Sequence, residues 1–178
     1  DDMATLMLFG SAGSVVALEK VAEAEPIPVA IFSDGDRYGA ILRKYDENIR
    51  LDGACVLNFS VNDVTQSVVD FFRWGEVDEQ TIDFYVFHQA QKLILDSMAA
   101  VCRTPEGKEL RSLVDYGNTS GASIPLSICV NRDRLTERSI VRFFTCGFGV
   151  GLSWSMGVIS VEAENILPII VSDEIFEG

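Results

Sequence analysis

The sequence is poor in side chains that bind metal ions, since its 178 residues include one histidine, His88, and four cysteines. The cysteines form no C-x-x-C pair, and one histidine cannot complete the ligand spacing of a zinc site. We therefore expect no metal ion and no metal-ligating residues. A chain of this size and apolar content does not call for a disulfide framework, which favours a reducing, cytoplasmic location. The cysteines are Cys55, Cys102, Cys129 and Cys146.

Basic charge is also scarce, because 14 Lys and Arg stand against 27 Asp and Glu, which gives a net charge of −13. A nucleic-acid binder needs a basic footprint, and an anionic membrane surface attracts basic segments. We therefore expect neither nucleic acid nor membrane as a partner. The chain opens Asp1-Asp2-Met3 without a basic n-region, so no secretory signal peptide is predicted.

Long hydrophobic runs are rare, and the one candidate is Phe143–Val161, whose 19 residues carry no charge. That length matches a membrane span. The run also contains several glycines and hydroxyl residues, which a spanning helix would not concentrate in this way. It is better explained as two buried strands, joined by a glycine turn over Cys146–Gly151.

The sequence does have a high apolar content, 48%, and it is long enough to form one globular domain with a buried core. Predicted strands and helices alternate along it, which is typical of the α/β class. We expect Ser60 to cap the first long helix and Gly75 to end it. The predicted strands are Val15–Leu18, Val29–Phe32, Phe84–Phe87 and Leu113–Asp115, and the predicted helices are Asn58–Trp74, Ala90–Val101 and Ser120–Val130.

His88 falls where the aromatic strand Phe84–Phe87 gives way to an amphipathic helix. In open α/β folds, ligands bind at this carboxyl edge of the sheet. No other side chain of the chain has an unperturbed pKa near neutrality. His88 is therefore the first candidate for proton or oxyanion chemistry, although a lone histidine at a strand end is more often structural.

Two further stretches admit a plain and a functional interpretation. Asn118, after Gly117, is by default a turn residue, and Thr119 or Ser120 could be a simple helix cap. The glycines from Gly147 to Gly151 suit a hairpin turn, or a backbone N–H presented to an oxyanion. No cysteine has an obvious base beside it, so no nucleophile is visible.

Taken together, three ordered motifs are specific: "VFHQAQKLIL", "YGNTSGASIPL" and "GFGVGLSW". In this order and spacing they closely resemble the C-terminal half of β-ketoacyl-acyl carrier protein synthase III, a condensing enzyme of the thiolase-like superfamily. "LFGSAGSVVAL" near the N-terminus is similar to the stretch that carries the last strand of that family's first half. The resemblance implies a thiolase-like α/β half-domain, a mixed sheet of about five strands covered by helices. It assigns residues 1–20 to the end of the N-terminal half and residues 21–178 to the C-terminal domain.

The resemblance also implies an activity, the decarboxylative Claisen condensation of an acyl-CoA primer with malonyl-acyl carrier protein that initiates fatty-acid synthesis. His88 and Asn118 match the residues that donate hydrogen bonds to the malonyl thioester carbonyl. The turn with Gly149 and Val150 matches the loop whose backbone N–H, assigned by position to Val150, holds the acyl-transfer oxyanion. No cofactor is implied besides these substrates.

The nucleophilic cysteine of that family lies in its N-terminal half, and no cysteine here matches its position. This chain alone should therefore be inactive, as an acyltransferase fragment that needs the N-terminal half of the same fold. The implied partners are coenzyme A thioesters and acyl carrier protein, and the intact protein is expected to be a homodimer. Carrier protein is acidic, so only a local patch with Lys92 and the neighbouring Gln91 could contact it on this acidic chain.

A second hypothesis is a natural half-length chain, either non-catalytic or paired with a separate cysteine-bearing subunit in a polyketide- or quinolone-type synthase. The start at Asp1-Asp2 favours the fragment, whereas Met3 as a true start would favour the half-length chain.

Overall fold

The computed structural model describes residues 7–20, 22–23, 26–74 and 77–173. The strands are β1 (Val29–Ser33), β2 (Ile41–Leu42), β3 (Arg50–Leu51), β4 (Phe84–Phe87), β5 (Ile140–Gly149) and β6 (Ser153–Glu162). The α-helices are α1 (Gly53–Asn58), α2 (Thr65–Arg73), α3 (Lys92–Val101), α4 (Leu113–Tyr116) and α5 (Ser123–Val130). A π-helical turn, Phe59–Val64, joins α1 to α2 into one helical rod.

Four of these strands form a mixed sheet in the order β1-β6-β5-β4. The hairpin β5–β6 is antiparallel, β1 lies antiparallel to β6, and β4 lies parallel to β5. The predicted class is therefore confirmed, with four strands rather than about five. Where a fifth strand would lie beside β4, the chain forms only a single parallel bridge, between Glu109 and Tyr85. The chain turns away after Leu110, whose N–H donates to the Tyr85 carbonyl at 2.9 Å, so the ladder stops there.

The sheet is buried on both faces, because successive side chains of a strand point to opposite sides. On β4, Phe87 joins the core under the α1–α2 rod and α3, while Val86 joins the core under α5. On β5, Phe144 joins the same core as Phe87, and Phe143 joins the same core as Val86. Helices on both faces of a largely apolar sheet explain why β4 and β5 read as nearly continuous hydrophobic runs.

The first helical rod begins earlier than predicted, at Gly53 instead of Asn58. Its N-cap is Asp52, whose carboxylate accepts a hydrogen bond from the Cys55 backbone N–H at 2.9 Å. The predicted cap, Ser60, is buried inside the rod and donates to the Val56 carbonyl at 2.7 Å instead. Helix α2 ends at Arg73, close to the prediction, and Gly75 lies outside the described residues.

Two predicted strands are absent from the described chain. Leu113–Asp115 lies in the single helical turn α4, because the backbone closes helical hydrogen bonds from Tyr116 to Ser112 and from Gly117 to Leu113. Val15–Leu18 forms no strand, and Val15 is 96% exposed. A strand needs a neighbouring backbone, and no described residue runs beside this segment.

The glycine-rich run at the C-terminal end of the chain is two strands, as predicted. The turn is shorter than Cys146–Gly151, because Cys146–Gly149 pair with Ser153–Met156 and leave only residues 150–152 to reverse the chain. Among the described residues, no helix combines the length and the apolar character needed to cross a membrane.

Candidate active site

A cavity of about 500 Å³ opens at the carboxyl end of β4 and brings together most of the predicted site residues. His88, Gln91 and Asn118 line it, as do Gly149 and Val150 of the hairpin. Most of the remaining wall is apolar. It comes from β2 and β3, which pair as a small antiparallel sheet, and from the start of the helical rod, α3 and the N-terminal segment. These apolar residues include Leu8, Phe9, Ile41, Ile49, Leu51, Val56, Ile94 and Phe148.

His88 is held by the sheet and by α5. Its backbone N–H continues the β4–β5 ladder to the Cys146 carbonyl at 2.8 Å. Its ring nitrogen Nδ1 lies 2.7 Å from the Ser123 hydroxyl, and the Phe148 ring packs edge-on against it with centroids 5.1 Å apart. Burial lowers the pKa of His88 to about 4, so the imidazole is neutral at pH 7.

Asn118 is fixed at both its backbone and its side chain. Its backbone N–H donates to the Leu8 carbonyl at 2.8 Å, and its carbonyl accepts from the Gly10 N–H at 3.0 Å. The side-chain oxygen accepts from the Ser120 N–H at 2.9 Å. Because this bond fixes the oxygen, the amide NH₂ is the part left for other partners, and it makes only a long contact of 3.4 Å with the Ala90 carbonyl.

The close approach of residues 8–10 to Asn118 depends on two glycines. A Cβ on Gly10 would lie 1.8 Å from the Tyr116 carbonyl oxygen, so no other residue fits there. Gly117 has φ +64°, and a Cβ there would come within 3.2 Å of the Leu8 carbonyl oxygen. The N-terminal segment therefore forms part of the site, although the strand predicted to follow it is absent.

Gln89, which we did not single out from the sequence, is fully buried and ties the two motif segments together. Its NH₂ donates to the Phe87 carbonyl at 2.7 Å. Its oxygen accepts from the Ser112 and Leu113 N–H groups at 3.0 and 3.2 Å. The chain that leads to Asn118 is thereby attached to the end of β4.

Ser123 was also missed, although it lies five residues after Asn118 in the same motif. The signal available in the sequence was that a hydroxyl so close to a candidate site residue leads into the nearly apolar segment Ile124–Val130.

Gln91 and Lys92 differ in their relation to the cavity. Gln91 lines it at the start of α3. Lys92 does not, and its largely exposed ammonium group pairs with Asp96 at 2.5 Å. Asp96 also binds Arg111 at 2.6 Å, so this single carboxylate is shared between two positive charges. A carrier-protein contact at these residues stays a prediction.

None of the four cysteines, all in the described part of the chain, lines the cavity. Burial raises the pKa of Cys102 to about 12 and also raises the pKa of Cys129 and Cys146. A thiolate is the reactive form of cysteine, so these three thiols are poor nucleophiles at neutral pH. His88 and Asn118 thus offer neutral hydrogen-bond donors in a largely apolar cavity, and no cysteine thiol lies among its described lining residues.

Such a donor pair suits one kind of chemistry. A carbonyl oxygen that gains negative charge is stabilised by preorganised N–H groups, most strongly where water is excluded. Imidazole and carboxamide supply these N–H groups without adding a net charge.

Comparisons with known proteins identify a family model and relatives that this chain matches. Residues 74–161 match the family described as 3-oxoacyl-[acyl-carrier-protein] synthase III C terminal. The chain is 29% identical over 175 residues to the β-ketoacyl-[acyl-carrier-protein] synthase III of Streptococcus pyogenes serotype M2, covering 90% of this chain and 54% of that protein. The chain thus spans about half the length of the curated relatives it matches.

Solved structures of synthases of the same description share the fold. The 3-oxoacyl-(acyl-carrier protein) synthase of Burkholderia xenovorans LB400 superposes with a TM-score of 0.70 at 30% identity, over 79% of this chain and 45% of that one. The synthase III of Thermus thermophilus gives a TM-score of 0.77 at 23% identity, over 92% of this chain and 55% of that one.

Proposed function

Because the chain belongs to the β-ketoacyl-[acyl-carrier-protein] synthase III family and matches the C-terminal half of its members, we propose that it supplies the condensation half of such an active site. The supporting observation is that His88 and Asn118, the two residues that match the family's donors, line one largely apolar cavity. The reaction proposed for the intact protein joins an acyl-CoA primer to malonyl-acyl carrier protein with loss of carbon dioxide.

In this proposal His88 and Asn118 act on the malonyl thioester. When carbon dioxide leaves, the electron pair of the broken C–C bond forms an enolate whose charge rests on the thioester oxygen. The neutral imidazole and the amide NH₂ donate to that oxygen. The low pKa of His88 supports a hydrogen-bond donor that keeps its proton rather than an imidazolium.

The acyl group that the enolate attacks must be carried by a cysteine from outside this chain. Gly149 and Val150 line the cavity and would present a backbone N–H to the oxyanion of that acyl transfer. Coenzyme A thioesters, acyl carrier protein and the N-terminal half of the fold are the proposed partners. A homodimer and a cytoplasmic location remain predictions for the intact protein.

The test uses the complete protein that contains this chain, identified by reading the coding sequence upstream of Asp1. We expect His88→Ala and Asn118→Ala each to slow decarboxylation of malonyl-acyl carrier protein by about a hundredfold or more, since each removes one oxyanion donor. Transfer of the acyl group from acyl-CoA to the cysteine should continue near its normal rate. Both steps are measured separately, with radiolabelled malonyl and acyl substrates.

Asn165→Ala provides the matched control, because Asn165 is an exposed asparagine whose amide binds only Glu162, at 3.0 Å, outside the cavity. It should leave both steps unchanged. Loss of acylation with decarboxylation intact would reverse the assigned roles. Absence of any cysteine-bearing segment in the coding sequence would instead favour a half-length chain with a separate partner subunit.

A further inference from the structure

A neutral imidazole carries its proton on one of two nitrogens, and only one of these faces the cavity of this protein. Nδ1 of His88 is engaged by Ser123, so Nε2 is the nitrogen available to a ligand. The proposed role of His88 requires the tautomer with the proton on Nε2. A hydrogen-bond donor beside Nδ1 would select this tautomer.

Ser123 begins α5 at the wall of the cavity, and at 1% exposure its hydroxyl is almost completely shielded from water. Buried serines elsewhere in the helices donate to the carbonyl one turn earlier, as Ser60 does to Val56 and Ser127 does to Ser123, at 2.7 and 2.8 Å. Ser123 makes no such bond. Its single hydrogen-bond partner among the described residues is Nδ1 of His88, at 2.7 Å.

Two arrangements of hydrogens are possible at this contact. If Nδ1 carries the proton and donates, the Ser123 hydroxyl hydrogen is buried without an acceptor and Nε2 is a bare acceptor. If the hydroxyl donates to an unprotonated Nδ1, the bond is complete and Nε2 carries the hydrogen. A buried donor without an acceptor is costly, so the second arrangement is favoured.

We infer that Ser123 is a positioning residue, which holds His88 in the Nε2–H tautomer by donating its hydroxyl hydrogen to Nδ1. The carbonyl of Ser123 accepts from Ser127, and Ser127 in turn lies 2.8 Å from Ser112, so the start of α5 is itself anchored. The tautomer assignment rests on this contact and on the burial of the Ser123 hydroxyl. Only its consequence for catalysis rests on the proposed function.

Nitrogen NMR of the histidine ring tests this directly, because His88 is the only histidine of the chain and its signals need no assignment to a residue. The couplings of each nitrogen to the hydrogens on the ring carbons distinguish Nδ1 from Nε2. In the chain labelled with ¹⁵N-histidine at pH 7, we expect Nδ1 to show the shift of an unprotonated ring nitrogen and Nε2 that of a protonated one. In Ser123→Ala, loss of one hydrogen bond should change the tautomer ratio by about fivefold to tenfold toward Nδ1–H.

Ser60→Ala is the matched control, since it also removes a buried hydroxyl from a helix but lies in the first helical rod, away from the ring and from α5. It should leave the tautomer as in the parent. A parent chain with the proton on Nδ1 would overturn the inference, and so would a folded Ser123→Ala chain with an unchanged ratio. If Ser123→Ala does not fold, the parent spectrum alone still decides.

In the complete enzyme, Ser123→Ala should lower kcat for decarboxylation while KM for the malonyl substrate stays the same. Ser123→Thr, which retains the hydroxyl, should restore part of the loss. An Nε2–H signal in a protein that lacks condensing activity would contradict the proposed function and leave the tautomer assignment standing. A proton on Nδ1 in an enzyme that is active in condensation would contradict the tautomer assignment and leave the proposed function standing.

Discussion

The two donors of the cavity are held in very different ways. His88 is fixed by elements within the domain, through the β4–β5 ladder and Ser123. Asn118 lies in a loop whose backbone is bound by Leu8 and Gly10, from a segment predicted to end the other half of the fold. The position of His88 is therefore set by the core of the domain, whereas the position of Asn118 depends on a contact with the N-terminal segment.

The contrast extends to the surroundings. The sheet beside His88 is closed, with Phe87 and Cys146 completely buried. The segment beside Asn118 is open, with Leu8 and Phe9 still 37% and 39% exposed. Apolar side chains at a partly exposed site suggest that a further part of the fold covers them. The geometry of Asn118 should thus be easier to disturb than that of His88.

The largest effect is expected at Gly10. Gly10→Ala places a methyl group 1.8 Å from the Tyr116 carbonyl oxygen, so the segment must move away and release Asn118. We expect decarboxylation by the complete enzyme to fall by about a hundredfold, as for loss of one oxyanion donor. Steady-state rates check this, together with crystallography of the 116–120 loop.

Gly13→Ala is the matched control, because a Cβ on Gly13 meets nothing within 4 Å. It should leave the rate unchanged. A fully active Gly10→Ala enzyme would show that the segment does not position Asn118.

A smaller loss is expected from Gln89→Leu, which keeps the side-chain volume but removes the acceptor for the Ser112 and Leu113 N–H groups. Burying donors without a partner should lower the free energy of unfolding by about 2 kcal/mol, measured by urea denaturation of the chain. Gln66→Leu on the exposed side of α2 should change it little. Equal effects of the two substitutions would mean that Gln89 is not the link between the segments.

A further effect, seen only at acid pH, concerns the protonation of His88. Its pKa of about 4 lies below the ordinary value of 6.5, so the unfolded chain binds the proton more readily. The free energy of unfolding should therefore be unaffected by this group above pH 6.5, and fall as the pH is lowered from 6.5 toward 4. Proton NMR of the ring should give a midpoint near the same low value.

His88→Gln should remove that part of the pH dependence. A ring that titrates near 6.5 in the folded chain would show that the cavity wall around His88 is wetter than the structure indicates.

The local sequence was sufficient to identify many parts of this fold. The aromatic run Phe84–Phe87 and the uncharged stretch after Phe143 predicted β4 and the β5–β6 hairpin, because alternation and β-propensity act over a few neighbouring residues. The motifs around His88 and Asn118 predicted two residues that line the same cavity.

Features that depend on a distant neighbour could not be predicted in the same way. Leu113–Asp115 has the composition of a strand, but it folds as α4 beside the amide of Gln89, 24 residues away from Leu113. Val15–Leu18 also has that composition, and it forms no strand where no described backbone lies beside it. Backbone pairing requires a partner, which local composition does not specify.

The sequence by itself determined which chemical groups are available, namely one imidazole, one motif carboxamide and a glycine hairpin in an acidic, apolar chain. Only the tertiary structure decided how these groups are prepared. It buried the imidazole, placed Ser123 against Nδ1 across 35 residues of chain, and bound Asn118 to Leu8 and Gly10. Residue type sets the hydrogen-bonding capacity of a side chain, whereas its pKa and the direction of its free N–H depend on neighbours that only folding brings together.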